Sequence, residues 1–496
     1  MNKIRNNPIE IEKEEFRRIG YQLIDDISGF ISSIDAKPVT YNRSPSQIQQ
    51  KIAATLPKNG SPAGELLTKT TELLINNSLF NGHPRFLGYI TSSATPIGAL
   101  ADLLAAAVNP NVGAHILSPV ATEIEKQTIK WLAEFIGVSP KYGGVLVSGG
   151  NMANFTAFLA AITAKAPKAY KTKGVRSLTG NPAVYCAKST HAWIEKAAIL
   201  FGLGSDAIRW IPCDSANSMK TTALEEKIEE DLNNGCLPIM VVGTAGDVST
   251  GAIDDLTEIG KICQTYDLWY HIDGAYGVPA AVVPQYRGLF NGMEQADSIA
   301  LDPHKWLYSP LEAGCTLVKD PKHLTDTFSS HPEYYNFGSE EGEFAQNFYE
   351  YGLQNSRGFR ALKVWLGLQQ MGRNGYEKLI REDIQLAELL YMLADEHPQL
   401  QAVSQNLSIT TFRYVPEEYG SDDNFDEVYL NSLNETLVHA LQRGGEVFLS
   451  NAIVDQKYCL RGCIVNFRTS EKDIRDIIEI VVREGRKMHL NLQNKK

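Results

Sequence analysis

No apolar run in this chain approaches the roughly 20 residues that a bilayer-spanning helix needs. The most apolar stretches, 97–108 among them, stop well short, so no membrane partner is expected. The opening residues, MNKIRNNPIEIEKEEF, hold no apolar block of the kind a secretory leader carries, and no leader is expected. Cysteine is sparse. Cys186, Cys213, Cys236, Cys263, Cys315, Cys459 and Cys463 are odd in number, scattered, and include no CxxC pair. That excludes a disulfide framework, predicts no metal site, and fits the reduced thiols of a cytoplasmic protein. Lysine and arginine number 47 against 58 aspartates and glutamates, for a formal net charge of −11, and form no basic arm. A nucleic-acid surface is therefore not expected. There is no internal repeat and no low-complexity segment. Phosphate-binding signatures are also missing: no GKS or GKT follows a glycine-rich loop, and no GxGxxG occurs.

What is present is ordinary globular composition, 43% hydrophobic and 21% charged, over a length that implies roughly two or three structural units. Near the start, Phe16, Ile19, Leu23, Ile27, Phe30 and Ile31 recur at helical spacing and predict an amphipathic helix over 11–31. A turn-rich connector follows over 38–57, then a second helix over 62–75. These helices have no core of their own and must pack on the rest of the chain or on a second copy of it.

From about residue 96 short apolar runs alternate with helical segments. Strands are predicted at 144–147, 183–187, 208–211, 238–243, 268–272, 298–301 and 315–318. Helices are predicted between most of them, at 154–165, 191–201, 222–233 and 256–266. This alternation predicts an α/β domain around a mostly parallel seven-stranded sheet, with ligands bound at the edge where the strands end. Residues 321–350 show little periodicity and read as a mobile lid. A helix over 356–371 and another to about 396 come next. Segments 408–414, 445–450 and 459–467, with a helix over 471–487, read as a small α+β unit. Three units are expected: a helical segment 1–95, a large domain 96–385 and a small C-terminal domain 386–496.

Three strand ends carry chemistry. In Trp269-Tyr270-His271-Ile272-Asp273-Gly274-Ala275-Tyr276 an apolar strand delivers a carboxylate and then small residues. Such a carboxylate suits a pyridine nitrogen, keeping the ring an electron sink, although Asp273 alone equally reads as a turn cap. In Ser298-Ile299-Ala300-Leu301-Asp302-Pro303-His304-Lys305-Trp306 a lysine directly follows a strand. Desolvation there favours the free amine that forms a Schiff base; the alternative is a snorkelling surface lysine. Asp273 and Lys305 stand 32 residues apart on consecutive strands, which strengthens both readings. In Gly143-Gly144-Val145-Leu146-Val147-Ser148-Gly149-Gly150-Asn151 small residues lead into an apolar helix whose first N–H groups can hold a phosphate.

A phosphate cradle, a ring-nitrogen carboxylate and a Schiff-base lysine, in that order, make a pyridoxal phosphate site. With these on the page the chain resembles the group II pyridoxal-phosphate decarboxylases, the family of aromatic-L-amino-acid, histidine and glutamate decarboxylases. The resemblance runs through Glu15-Phe16-Arg17-Arg18-Ile19-Gly20, His83-Pro84-Arg85-Phe86, residues 117–125 and Arg360-Ala361-Leu362-Lys363-Val364-Trp365. Asp302-Pro303-His304-Lys305-Trp306 is its most specific segment.

The resemblance implies an aspartate-aminotransferase-like fold of type I, pyridoxal 5'-phosphate as cofactor, and a homodimer with the site at the subunit boundary. It also assigns roles. His191 stacks on the pyridine face and Thr244 lies near the ring. Gly149, Gly150, Asn151, Ala275, Asp302 and His304 join Asp273 and Lys305 around the cofactor. Tyr334 is the lid tyrosine that returns a proton to the substrate after CO2 leaves; adjacent Tyr335 leaves that register open by one. A phenylalanine there would imply an aldehyde synthase. Asn81, Ile90, Ser92 and Gly113 are assigned to the substrate pocket. Of these, Asn81, Ile90 and Gly113 stand where the animal aromatic decarboxylases carry aromatic side chains. The expected activity is decarboxylation of an L-amino acid, an aromatic one first. Glutamate, aspartate, histidine and diaminobutyrate remain open. An aminotransferase would instead need an arginine in the small domain, a part Arg461 or Arg468 can fill.

Overall fold

All seven predicted runs become strands of one sheet in the computed structural model, which describes residue 7 and residues 9–330, 345–419 and 426–493. They are β1 (Gly143–Val147), β2 (Pro182–Ala187), β3 (Ile208–Ile211), β4 (Leu237–Thr244), β5 (Trp269–Asp273), β6 (Ser298–Leu301) and β7 (Gly314–Val318). Their order is β1-β7-β6-β5-β4-β2-β3. The pairs from β3 through β6 are parallel, while β7 runs antiparallel to both β6 and β1. β1 therefore points the same way as the parallel strands, and the carboxyl ends of six strands meet along one edge.

The continuous apolar runs follow from burial on both faces. Along β2, Val184 and Cys186 pack into one cluster with Phe158, Trp193 and Val242. Tyr185 and Ala187 pack into another with Val241, Ile272 and Leu146. This is the two-residue alternation of a strand used twice over. Each fully buried valine or leucine stabilises the fold by about 2 kcal/mol, so the sheet is a stiff platform for its loops.

The helix Gly150–Lys165 leaves β1 through Gly149, whose φ of +130° suits only glycine without strain. The start of β7 lies so close that a Cβ on Gly314 would sit 2.5 Å from the Gly149 Cα. Two glycines thus fix where the β1 turn lies.

A second sheet, ordered β10-β11-β9-β8, is wholly antiparallel. Its strands are β8 (Leu400–Asn406), β9 (Ile409–Tyr414), β10 (Ser450–Val454) and β11 (Lys457–Cys463). The helices Glu427–Gly444 and Glu471–Gln493 cover it, with Leu437, Leu441, Ile477 and Val481 in a shared core. The long helix Ala361–Glu396 carries non-helical φ/ψ at Gly372, where the sequence predicts a change from one helix to the next, and it packs on both sheets' elements.

Several expectations change. The connector 38–57 contains the helix Pro45–Ile52, held by a reciprocal capping box between Ser44 and Gln47. Segment 321–350, read as structureless, contains the helix Lys322–Phe328 and a 3-10 turn at Phe348–Glu350, because Leu324 and Phe348 are fully buried anchors. Strand 445–450 is displaced to Ser450–Val454, since Gly445 is a left-handed helix cap rather than strand. Strand 459–467 ends at Cys463, and β8 and the helix Glu427–Gly444 had no counterpart in the expectations. Tyr334 and Tyr335 lie outside the described residues. No helix among the described residues is long and apolar enough to cross a membrane.

Candidate active site

A cavity of about 550 Å³ opens at the carboxyl edge of the large sheet. That is ample for a cofactor and a small substrate. Its wall includes Gly149, Gly150, Asn151, His191, Thr244, Asp273, Ala275, Asp302, His304 and Lys305, together with Ile90. Ten of the eleven cofactor and catalytic assignments therefore converge from five different strand ends, and the eleventh, Tyr334, is outside the described residues.

Asp273 ends β5 on the cavity floor. Its Oδ2 accepts the indole N–H of Trp193 at 2.7 Å and its Oδ1 the Ala275 N–H at 3.3 Å. The carboxylate is thus oriented from behind and keeps lone pairs toward the cavity. Trp193 sits edge-on to His271, which lies between Asn154 Oδ1 at 2.7 Å and Ser298 Oγ at 2.8 Å. Burial pushes the His271 pKa down to about 4, so a neutral imidazole bridges the helix Gly150–Lys165 to β6.

His191 stands on the cavity wall, where its Nδ1 accepts the Trp193 N–H at 3.2 Å. Burial lowers its pKa; Asp273 opposes that shift and Lys305 adds to it. Thr244 ends β4. Its hydroxyl lies 3.3 Å from that of Thr190, and its N–H donates to Asp254 Oδ2 at 2.7 Å. Burial raises Asp254 to about 6 against that hydrogen bond.

The turn after β6 carries Lys305. Its Nζ lies 3.3 Å from Asp302 Oδ2, and its backbone N–H donates to the Asp302 carbonyl at 2.9 Å. His304 Nδ1 is 2.7 Å from the Ala313 carbonyl, which places the ring proton on Nδ1 and leaves Nε2 3.8 Å from Asp302 Oδ2. The Ser92 hydroxyl donates to the His304 carbonyl at 2.9 Å.

Two observations fit a phosphorylated pyridine. A Cβ on Gly150 would lie 2.7 Å from Asp302 Oδ2 and 3.4 Å from the Ala275 Cβ, so only a glycine leaves this cradle open. The first N–H groups of the helix Gly150–Lys165 have no partner within the helix and face the same wall, where a dianion is favoured.

The substrate assignments fare unevenly. Ile90 lines the cavity beside Tyr89 and Thr91. Asn81 and Ser92 instead line a neighbouring apolar cavity with Phe30, Phe80 and Pro310. Gly113 is packed against the Asn355 backbone, where a Cβ would lie 2.3 Å from the carbonyl oxygen. Within one chain neither Asn81 nor Gly113 lines the cavity of Lys305, and Ser92 reaches the lysine turn only through its hydrogen bond to the His304 carbonyl. Of the two arginines, Arg461 lines the cavity and Arg468 lines the neighbouring one. Arg461 is 4% exposed; its Nη1 donates to the Val248 carbonyl, while Nε and Nη2 have no partner. Burial lowers its pKa. Sequence reasoning missed Trp193 and His271, which support Asp273 from behind. Nothing in their spacing marks them, because they meet only when β5 and the turn after β2 come together.

A lysine and a carboxylate at adjacent strand ends, facing a helix N-terminus across one cavity, define an enzyme that works through pyridoxal phosphate. Comparison with known proteins narrows the class. Residues 45–415 match the pyridoxal-dependent decarboxylase conserved domain, and the chain belongs to that family of carboxy-lyases. It is 33% identical over 471 residues to an aromatic-L-amino-acid decarboxylase of Bacillus atrophaeus, covering 95% of each chain. It is 29% identical over 493 residues to a phenylacetaldehyde synthase of Petunia hybrida, covering 97% of this chain and 96% of that one. The crystal structure of Oryza sativa TDC with PLP and tryptamine superposes with a TM-score of 0.90 at 25% identity, over 98% of this chain and all of that one.

Proposed function

We propose that this enzyme decarboxylates an aromatic L-amino acid of the tryptophan, tyrosine, phenylalanine or DOPA type, releasing the amine and CO2. The observation that carries the reading is the convergence of Lys305, Asp273, His191 and the Gly150 helix terminus on one cavity. When bound, pyridoxal phosphate supplies a protonated ring that takes up the electron pair left at Cα as CO2 departs.

The chain's own residues do the rest. Lys305, on the cavity wall with Nζ 3.3 Å from Asp302 Oδ2, is the residue that would hold the cofactor. Asp273 keeps the ring nitrogen protonated, and its orientation is preset by Trp193, so little reorganisation accompanies charge development. His191 would cover one ring face. The N–H groups of Gly150 and Asn151, with His304, would hold the phosphate. Thr244 and Ala275 would border the ring, and Asp302 faces the Lys305 amine. Tyr334 returns a proton to Cα.

The aromatic substrate is supported by the Bacillus atrophaeus relative and by the apolar side of the wall at Ile90, Phe155 and Val248. A second reading has its own observation. Arg461 is a buried guanidinium whose unpartnered N–H groups suit a carboxylate. An aromatic substrate has only the carboxylate that leaves, whereas glutamate or aspartate offers a second one. A panel of L-amino acids assayed for amine and CO2 separates the readings. Amine from aromatic substrates is the expected result; amine from acidic ones alone overturns it, and a keto acid in place of CO2 overturns decarboxylation. An aldehyde product would align the chain with the Petunia relative, and Tyr334→Phe is expected to shift product that way. If neither Tyr334→Phe nor Tyr335→Phe alters product or rate, the lid assignment falls.

We also propose a cytoplasmic homodimer. Support for the compartment is that none of the seven cysteines is paired in a disulfide. Support for the dimer is the exposed apolar face of the helix Pro96–Val108, with Leu100, Leu103, Leu104 and Val108. The division into units at 1–95, 96–385 and 386–496 belongs to the same proposal.

A further inference from the structure

Asp383 lies in the helix Ala361–Glu396, far along the chain from any residue assigned to the cofactor, and is 3% exposed. Burying a carboxylate costs several kcal/mol unless its oxygens are engaged. Here Oδ2 accepts the Trp306 indole N–H at 2.9 Å and the Tyr308 hydroxyl at 2.7 Å. Both donors flank Lys305, at one and three residues beyond it. The Asn466 backbone N–H, in the segment leaving β11, also faces the carboxylate. Trp306 in turn stacks on Tyr276 of the cavity wall, with ring centroids 4.9 Å apart. Tyr308 holds a left-handed φ of +53° and donates its N–H to the Lys305 carbonyl at 3.2 Å. A strained residue persists only where its surroundings over-determine it, and Asp383 is the group that seizes this one's side chain.

We infer that Asp383 is a positioning residue of the reaction: it clamps the turn that carries Lys305 against the long helix and the small sheet, and so sets where the lysine amine stands. The inference rests on Lys305 as the lysine that carries the cofactor. A leucine here would be larger than the aspartate and would leave the Trp306 indole N–H and the Tyr308 hydroxyl buried without an acceptor, so it is the carboxylate that joins the turn to the helix.

The clamp is also titratable. Burial raises Asp383 to about 7, against the hydrogen bonds from Tyr308 and Trp306. The groups facing it are Glu382 and Tyr376 on its own helix, Trp306 and Tyr308 on the lysine turn, Tyr276 after β5, and Cys463 with Asn466 at the end of β11. Burial holds the three tyrosines and Cys463 neutral around neutral pH. Asp383 is therefore the group in that shell whose charge changes near pH 7.

Asp383→Leu and Asp383→Asn test this. Leucine removes the clamp; asparagine keeps one acceptor oxygen for both donors but cannot ionise. In apo-protein, Asp383→Leu is expected to speed amide exchange of residues 304–309, while exchange in β4 and β5 stays unchanged. In holoenzyme it lowers kcat by about tenfold or more with little change in KM, the signature of a misplaced reacting group. Asp383→Asn restores exchange and kcat but flattens the pH dependence of the visible cofactor absorbance around pH 7. A lower melting temperature in Asp383→Leu with unchanged exchange at 304–309, kcat and pH profile overturns the inference, as does failure of asparagine to rescue. If Asp383→Leu does not fold, Tyr308→Phe and Trp306→Phe each remove one donor and must each reproduce part of the exchange effect. Borohydride fixation followed by peptide mapping reads the lysine independently: a pyridoxyl group on a lysine other than Lys305 overturns the parent reading, whatever the Asp383 variants do.

Discussion

Removing Lys305 separates its two jobs. Lys305→Ala takes away the amine that holds the cofactor, and it leaves the buried carboxylate of Asp302 without the cation 3.3 Å away. The expected outcome is loss of amine release by more than about a thousandfold, with loss of the cofactor's lysine-bound absorbance. Added methylamine restoring part of the rate would show that the amine, rather than the fold, was missing. Asp273→Asn is subtler. An asparagine oxygen can still accept from Trp193, so the fold is expected to hold. The ring nitrogen then loses its anionic partner, and kcat falls by about a hundredfold or more while cofactor binding weakens less. Equal losses in both would place Asp273 in structural support instead. Both residues were legible in the sequence because Asp273 ends an apolar run and Lys305 stands in the turn just after one, where burial makes a polar group costly. Trp193 was not, since it is merely one more aromatic until β5 and the turn after β2 meet.

Elements carry the next layer of evidence. Every strand of the large sheet was readable, as burial on both faces writes an uninterrupted apolar run that survives without tertiary information. The small sheet was harder. β8 (LQAVSQN) is mostly half-buried, and its polar residues at 401 and 404–406 break the two-residue alternation that marks a strand, while the helix Glu427–Gly444 offers mixed polarity with asparagine and threonine at interior turns. Register between elements is equally invisible, and His271 shows why it matters. It joins the helix Gly150–Lys165 to β6 through Asn154 and Ser298, and burial depresses its pKa from the ordinary 6.5 to about 4. The unfolded chain therefore binds this proton more readily than the folded one. Its contribution to stability is complete above pH 6.5 and is lost as pH falls toward 4, up to about 3 kcal/mol. His271→Gln, which keeps a donor and an acceptor but does not titrate, should lose less stability between pH 7.5 and 5 than the parent. Urea midpoints at the two pH values measure it, and equal losses would mean that the imidazole is not held neutral.

At the scale of the whole molecule, an exposed apolar face remains. Leu100, Leu103 and Leu104 are each more than half exposed on the helix Pro96–Val108, and Ile116, Leu117 and Val120, which follow it in the chain, are exposed as well. Apolar side chains exposed in such number are costly to leave in water. A twofold pairing of this face would bury each leucine twice per dimer, so a single substitution acts at two symmetry-related points. Leu103→Glu buries two carboxylates in the paired state. At about 3 kcal/mol for each unpaired buried charge, association weakens by about 6 kcal/mol, roughly 10⁴-fold. The parent protein is expected to sediment as a dimer at micromolar concentration and Leu103→Glu as a monomer with an unchanged circular dichroism spectrum. A parent that sediments as a monomer refutes the dimer. A Leu103→Glu variant that remains dimeric moves the interface away from the helix Pro96–Val108. Activity gives a second reading of the same variant: a site completed by the partner loses turnover on dissociation, whereas a self-sufficient site retains it.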